Sequence, residues 1–153
     1  MPMFSFRKKA LLDAATQQAV VNAIKAAEAD TTGEIRVFVE QKLNTGTAME
    51  RAQALFTKLG MTQTVHRNAV LIYLALEHRQ FAILGDEQIF VQAGGPVFWE
   101  AAALELRTAL INGQMQEGLC KCIDEIGKAL STHFPHEEGV NKNELPDEII
   151  FGR

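Results

Sequence analysis

Three carboxylates, one guanidinium and one side-chain amide carry the most suggestive chemistry in this sequence: Glu34, Asp86 and Glu87, Arg67, and Asn68. They fall in three short pieces, Gly33-Glu34, Arg67-Asn68 and Gly85-Asp86-Glu87. Gathered at one place, they would make an oxygen-rich acidic site. Two carboxylates ~5 Å apart repel by roughly 3 kcal/mol at an effective dielectric near 20. Arg67 would offset part of that repulsion, and a bound divalent cation more. An oxygen-only donor set, with the Asn68 carbonyl added, suits Ca2+ or Mg2+ better than Zn2+. The same residues also have plain structural uses. Asp86 is well placed as a helix N-cap, Asn68 as a strand-entry residue, and Arg67 with Glu34 as a surface ion pair.

Whether they meet depends on the elements around them. Glu34 opens GEIRVFVEQ, where Ile35, Val37 and Val39 alternate with Glu34, Arg36, Phe38 and Glu40. That period of two predicts a strand with one buried face. Arg67-Asn68 precede AVLIYLAL, eight apolar residues from Ala69 to Leu76. A run this short, partly β-branched and aromatic, predicts a central strand buried on both faces. Glu77-His78-Arg79 reads as a tight turn into a third strand, Gln80 to Leu84, forming a hairpin. Between the first two strands, Thr47 to Leu59 reads as a helix with a Thr47/Glu50 capping box, and Gly60 stops it. The unit is βαβ with a right-handed crossover and parallel strands, and the third strand is antiparallel. The starts of the parallel strands and the end of the third then share one sheet edge. Topology alone brings Glu34, Arg67, Asn68, Asp86 and Glu87 together. The opposite edge holds Glu40, Gln41, Glu77, His78 and Arg79, and carboxyl ends of parallel strands are where open α/β sheets usually bind ligands.

Helices account for most of the rest. One begins after Asp13 or Thr16, with Val20, Ile24 and Ala27 on a single face. Asp86 opens a short helix to Gln92, and Gly94-Gly95-Pro96 breaks it. A longer helix is predicted from Val97 to Leu110, with Pro96 in its first turn. The last runs from Met115 to Phe134, and its Gly118 and Gly127 indicate close helix packing. The fold class is α/β: a small mixed sheet flanked by helices on both sides. Residues 1–134 make one domain, and 135–153 are an acidic C-terminal tail, disordered or strapped on the surface.

Composition narrows the function classes. The chain has 153 residues, 47 % apolar and 22 % charged, with net charge −4, so one ordinary globular domain is expected. No basic stripe occurs, which argues against nucleic acid. No apolar run approaches the ~20 residues of a membrane helix, so no direct membrane insertion is expected. The N-terminal ALL run ends at Asp13, short of a secretory h-region, and cytoplasm is the expected compartment. Cys120 and Cys122, two apart on a helix, point their thiols about 200° apart, which suits neither a disulfide nor a shared metal. His133 and His136 flank Phe134-Pro135, which breaks the register a metal pair needs. His66 could join the acidic edge. Gly-rich phosphate loops, H-E-x-x-H and G-x-S-x-G are absent.

Several stretches together resemble the TPM domain family: TTGEIRVFVE, ALFTKLGMTQT, HRNAVLIYLALEHRQFAILGDEQI, FW, GLCKCIDEIGKALSTHFP and NELPDEIIFG. The resemblance runs from about Thr16 through the tail. It implies an α/β sandwich with a short central sheet. In that family a thylakoid branch is associated with photosystem repair, acid phosphatase activity and calcium binding, and an animal branch works as a receptor accessory protein. Many bacterial relatives carry a signal peptide and a membrane helix. This sequence departs from those and resembles the short soluble bacterial branch, whose role is not established. The phosphatase idea carries over only onto Glu34, Asp86 and Glu87.

Three functional expectations follow. The first is an accessory or binding domain holding Ca2+ or Mg2+ at the acidic edge. The second is a metal-assisted phosphatase acting on phosphate esters, with Arg67 as the anion clamp. The third is a protein partner for the tail, where Leu145, Pro146, Ile149, Ile150 and Phe151 set apolar anchors among acids. A strap of those residues over the chain's own sheet is the competing reading.

Overall fold

A computed structural model describes residues 11–138 and 148–152. Among these, five α-helices surround one four-stranded mixed sheet. Asp13 caps the first helix, α1 (Ala14–Glu28), by accepting the Thr16 N–H at 2.7 Å. Strand β1 (Glu34–Glu40) has the expected bounds. Thr47 and Glu50 complete both halves of the capping box at the start of α2 (Ala48–Lys58). Strand β2 (Ala69–Ala75) is buried at every position, and β3 (Gln80–Gly85) returns beside it. Then come α3 (Glu87–Ala93), α4 (Glu100–Ile111), α5 (Met115–His133) and a two-residue strand, β4 (Ile150–Phe151).

The strand order is β3-β2-β1-β4. β1 runs parallel to β2 with Glu34 opposite Ala69, and β3 is antiparallel with Val70 opposite Gly85. Two cores follow from the pleat. Ile35, Val37 and Val39 face one with Val70, Ile72 and Leu74, and α1, α4 and α5 cover it. Phe38, Ala69, Leu71, Tyr73 and Ala75 face the other, under Ala52, Leu55 and Phe56 of α2. Helices therefore lie on both sides, as expected.

Two expectations need correction. β1 is buried on both faces, not one: Glu34 and Glu40 are both enclosed. On that second face Phe38 joins Ala52, Leu55 and Phe56 of α2, and Arg51 of α2 holds Glu40. The helix predicted from Val97 starts only at Glu100, because residues 95–99 form a tighter 3-10 turn. Gly95 holds φ +65°, outside the α region, and Trp99 breaks the helical dihedrals at φ −120°. In the tail, Ile150 and Phe151 pair in parallel with Phe38 and Val39 of β1, so of the two readings this part follows the strap, on the sheet edge. Leu145 and Pro146 lie outside the described residues.

Candidate functional site

The amino edge of the parallel strands does gather its residues in one row. Ala69 sits opposite Glu34 on one side and accepts the Asp86 N–H at 2.9 Å on the other. Their chemistry then divides. Arg67 takes a left-handed backbone, φ 51°, at the entry to β2. Its guanidinium donates to both Asp86 oxygens, Nε to Oδ2 at 2.8 Å and Nη2 to Oδ1 at 3.0 Å. Nη1 reaches Glu87 Oε2 at 3.1 Å. The Asp86 side chain is 5 % exposed and Glu87 55 %, so the clamp joins a buried acid to a surface acid. Asp86 Oδ1 also accepts the Glu87 N–H at 2.7 Å, capping α3. The Gln88 N–H donates to the Arg67 carbonyl at 3.0 Å, which ties the helix start to the strand entry.

The expected Arg67–Glu34 pair is replaced by this clamp. Glu34 stands two strands from Asp86, about 10 Å at the usual strand spacing. It is buried at 1 % exposure and feels Arg36 of its own strand instead. Asn68 turns toward β1, donating to Thr32 Oγ1 at 3.1 Å. The chain leaving α5 closes this end further. The Thr31 hydroxyl and the Thr32 N–H both donate to the Phe134 carbonyl. His66 Nε2 lies 3.6 Å from Glu137, a partner that draws it off the carboxylate row.

The carboxyl edge, already marked by Glu40 as a second candidate cleft, holds a polar cluster whose other members, Arg51 and Tyr73, the sequence reading did not name. Glu40 turns inward. Its Oε2 accepts the Tyr73 hydroxyl at 2.5 Å and Arg51 Nε at 2.9 Å, and its Oε1 accepts Arg51 Nη2 at 3.1 Å. Phe38 packs beneath, 6.2 Å from the Tyr73 ring and 5.7 Å from the Arg51 guanidinium carbon. Burial first, and the neighbouring carboxylate second, push the Tyr73 phenol well above its ordinary range. The hydrogen bond to Glu40 raises Arg51. Gly152 closes the cluster from β4, for a Cβ there would lie 2.7 Å from both Glu40 Oε1 and Phe38 Cε1. One signal could have revealed this group. Tyr73 is the sole hydroxyl inside an otherwise apolar central strand, and a buried phenol needs a partner. Residues Glu77 and Gln41 extend the ladder by backbone bonding, and Glu77 pairs loosely with Lys42 at 3.9 Å.

Among the described residues no three His, Cys, Asp or Glu side chains gather as metal ligands. Asp86 has both oxygens engaged by Arg67, and Glu34 does not converge on it. A cation at this edge would therefore rest on Asp86 and Glu87 and would have to replace the guanidinium. The two cysteines are free; burial pushes the Cys122 thiol up to about 12.

The fold, a short mixed sheet between helical layers with these two polar edges, is that of a known domain. A model of the TPM domain matches residues 6–129, and the chain belongs to that family. Among solved structures it is similar to the BA42 protein from the psychrophilic bacterium Bizionia argentinensis: 34 % identity, TM-score 0.86, covering 95 % of this chain and 99 % of that one. It is also similar to the N-terminal domain of the cg2496 protein from Corynebacterium glutamicum, at 18 % identity and TM-score 0.63 over 89 % of this chain and 84 % of that one. An N-terminal domain from P. gingivalis matches at 15 % identity and TM-score 0.65, over 84 % and 83 % of the two chains. The last two likenesses are of fold alone. A comparison with curated proteins gives no match. No helix among the described residues is long and apolar enough to cross a membrane.

Proposed function

We propose that this TPM-family chain is a binding or accessory domain, and that the ligand of its acidic edge is Ca2+ or Mg2+, taken in exchange for the Arg67 guanidinium. One observation carries the reading: a single cationic group already spans Asp86 and Glu87, at 2.8 to 3.1 Å. A divalent cation would serve the same two carboxylates, and Arg67, 39 % exposed, can swing into water. Arg67 is thus a competitor of the cation, and its removal should strengthen binding. The test is melting temperature against Ca2+ and Mg2+ in the wild type, Arg67→Ala and Asp86→Ala. A ligand at a hundred times its dissociation constant stabilises by about 2.7 kcal/mol. The shift should be larger in Arg67→Ala than in the wild type and absent in Asp86→Ala. No shift at millimolar cation in either of the first two would sink the cation reading.

The phosphatase alternative ranks second, since Arg67 would have to leave both acids to clamp a phosphoryl group. Turnover of a generic phosphate ester that disappears in both Arg67→Ala and Asp86→Ala would favour it. Turnover indifferent to both would point to a contaminant. The two free thiols support a reducing, cytoplasmic setting. For a protein partner, the tail offers Phe151, 39 % exposed on the edge strand.

A further inference from the structure

A groove of about 490 Å³ opens at the other end of the hairpin, away from the acidic edge. Three elements line it: the entry to α2, the β2–β3 turn and the end of α4. Its charged residues are Arg79 and Arg107, and none of its eight lining residues is acidic. Among the described residues, neither guanidinium has a carboxylate within ion-pairing distance. Of the acids nearby, Glu50 sits against Gly46 at the rim and accepts the Thr47 N–H at 2.8 Å, Glu77 lies 3.9 Å from Lys42, and Glu105 lies 3.5 Å from Lys121.

The two arginines are held by different means. Arg107 lies over the Phe81 ring, 5.9 Å from its centroid. That contact restricts the side chain while leaving its N–H donors free for a ligand. Arg79 occupies the left-handed region at φ 52°. Glycine or asparagine is the ordinary choice there, and a long side chain gains nothing from the turn itself. Like-charged groups lining one cavity with no counter-charge repel unless an anion joins them. Phe81 and the 66 % exposed Ile111 add an apolar wall.

We propose that this groove binds a small organic anion, its carboxylate or phosphate head between Arg79 and Arg107 and its apolar body on Phe81 and Ile111. The volume fits a small-molecule site. Planar guanidinium donors match either head group. The site is separate from the acidic edge and does not depend on the cation reading.

The test uses the full chain labelled for amide NMR and two non-hydrolysable probes, phenylphosphonate and phenylacetate. Saturable shifts are expected at Thr47, Gln80, Phe81 and Arg107. Arg79→Gly keeps the fold, because glycine takes a positive φ freely. Arg107→Met keeps an aliphatic stem on Phe81. Each should weaken binding about tenfold, as loss of one charge-assisted contact does, and Arg67→Ala should leave it unchanged. Saturation by the phosphonate alone assigns a phosphate ligand, and by phenylacetate alone a carboxylate. Three results would overturn the proposal: no saturable shift with either probe, affinity unchanged in both groove variants, or equal shifts with the cationic probe phenethylammonium.

Discussion

Arg67 and Asp86 face each other across the ends of two neighbouring strands, and the arginine holds both carboxylate oxygens, at 2.8 and 3.0 Å. The same aspartate caps α3 through the Glu87 N–H. One buried carboxylate thus links a strand entry to a helix start.

That double use separates by mutation. Asp86→Ala should destabilise the protein by about 1 to 2 kcal/mol through the lost cap alone. Asp86→Ser restores a capping oxygen but not the clamp, and should recover most of that loss. Urea unfolding of the three proteins measures it. Equal stability of Asp86→Ala and wild type would remove the capping role.

Tyr73 is the chain's single tyrosine, so its phenolate absorbance reports one site. Burial and the Glu40 carboxylate raise its folded pKa above the ordinary 10.0. A raised folded value favours folding below pH 10 and loses that support as pH climbs through the folded pKa. Alkaline titration should therefore show phenolate appearing only as the protein unfolds. Tyr73→Phe should cost about 1 kcal/mol. Glu40→Leu should cost more, since it strands a buried hydroxyl and a guanidinium together. A phenolate transition near pH 10 in folded protein would contradict the network.

Helix α5 meets α4 and α1 through glycines. A Cβ at Gly118 would lie 2.1 Å from the Ala109 Cβ, and one at Gly127 would lie 2.6 Å from the Ala27 Cβ and 2.9 Å from its Cα. Alanine gains about 1 kcal/mol in an isolated helix. Overpacking costs about 1 to 3 kcal/mol, and here it should win. Both Gly→Ala changes are expected to lower the urea midpoint. For Gly118→Ala, adding Ala109→Gly should relieve the clash.

The Gly152 N–H donates to the Val39 carbonyl at 2.8 Å, beside the paired Ile150 and Phe151. Hydrogen exchange at Gly152 should be slowed relative to an unstructured peptide. Random-coil exchange there would release the tail for a partner and discard the strap.

Much of the fold was legible because the patterns behind it are local. The alternation of Ile35, Val37 and Val39 marked β1 to its end residues, and the capping box marked α2. The hairpin and crossover rules then placed Glu34, Arg67 and Asp86 on one edge. The partners of those side chains were not legible. Glu34 was expected beside Arg67, yet one strand lies between Glu34 and Asp86, and the left-handed backbone of Arg67 sends its guanidinium to the far side. Arg51, Glu40 and Tyr73 come from a helix and two strands. Their meeting depends on how α2 settles over the sheet, which no short-range pattern encodes.

By itself the sequence determined the order of the main helices and of the first three strands, the mixed sheet, the kinship with the TPM domain and the edge where the charged residues collect. Periodicity, caps and chain connectivity are properties of neighbouring residues, so they survive being read in one dimension. Tertiary structure alone decided which acid Arg67 holds, that Glu34 and Glu40 are buried, and that Arg79 and Arg107 share a groove. Those outcomes depend on distances of a few ångströms between segments far apart in the chain, and over such distances a hydrogen bond is made or lost and a buried polar group goes from satisfied to costly.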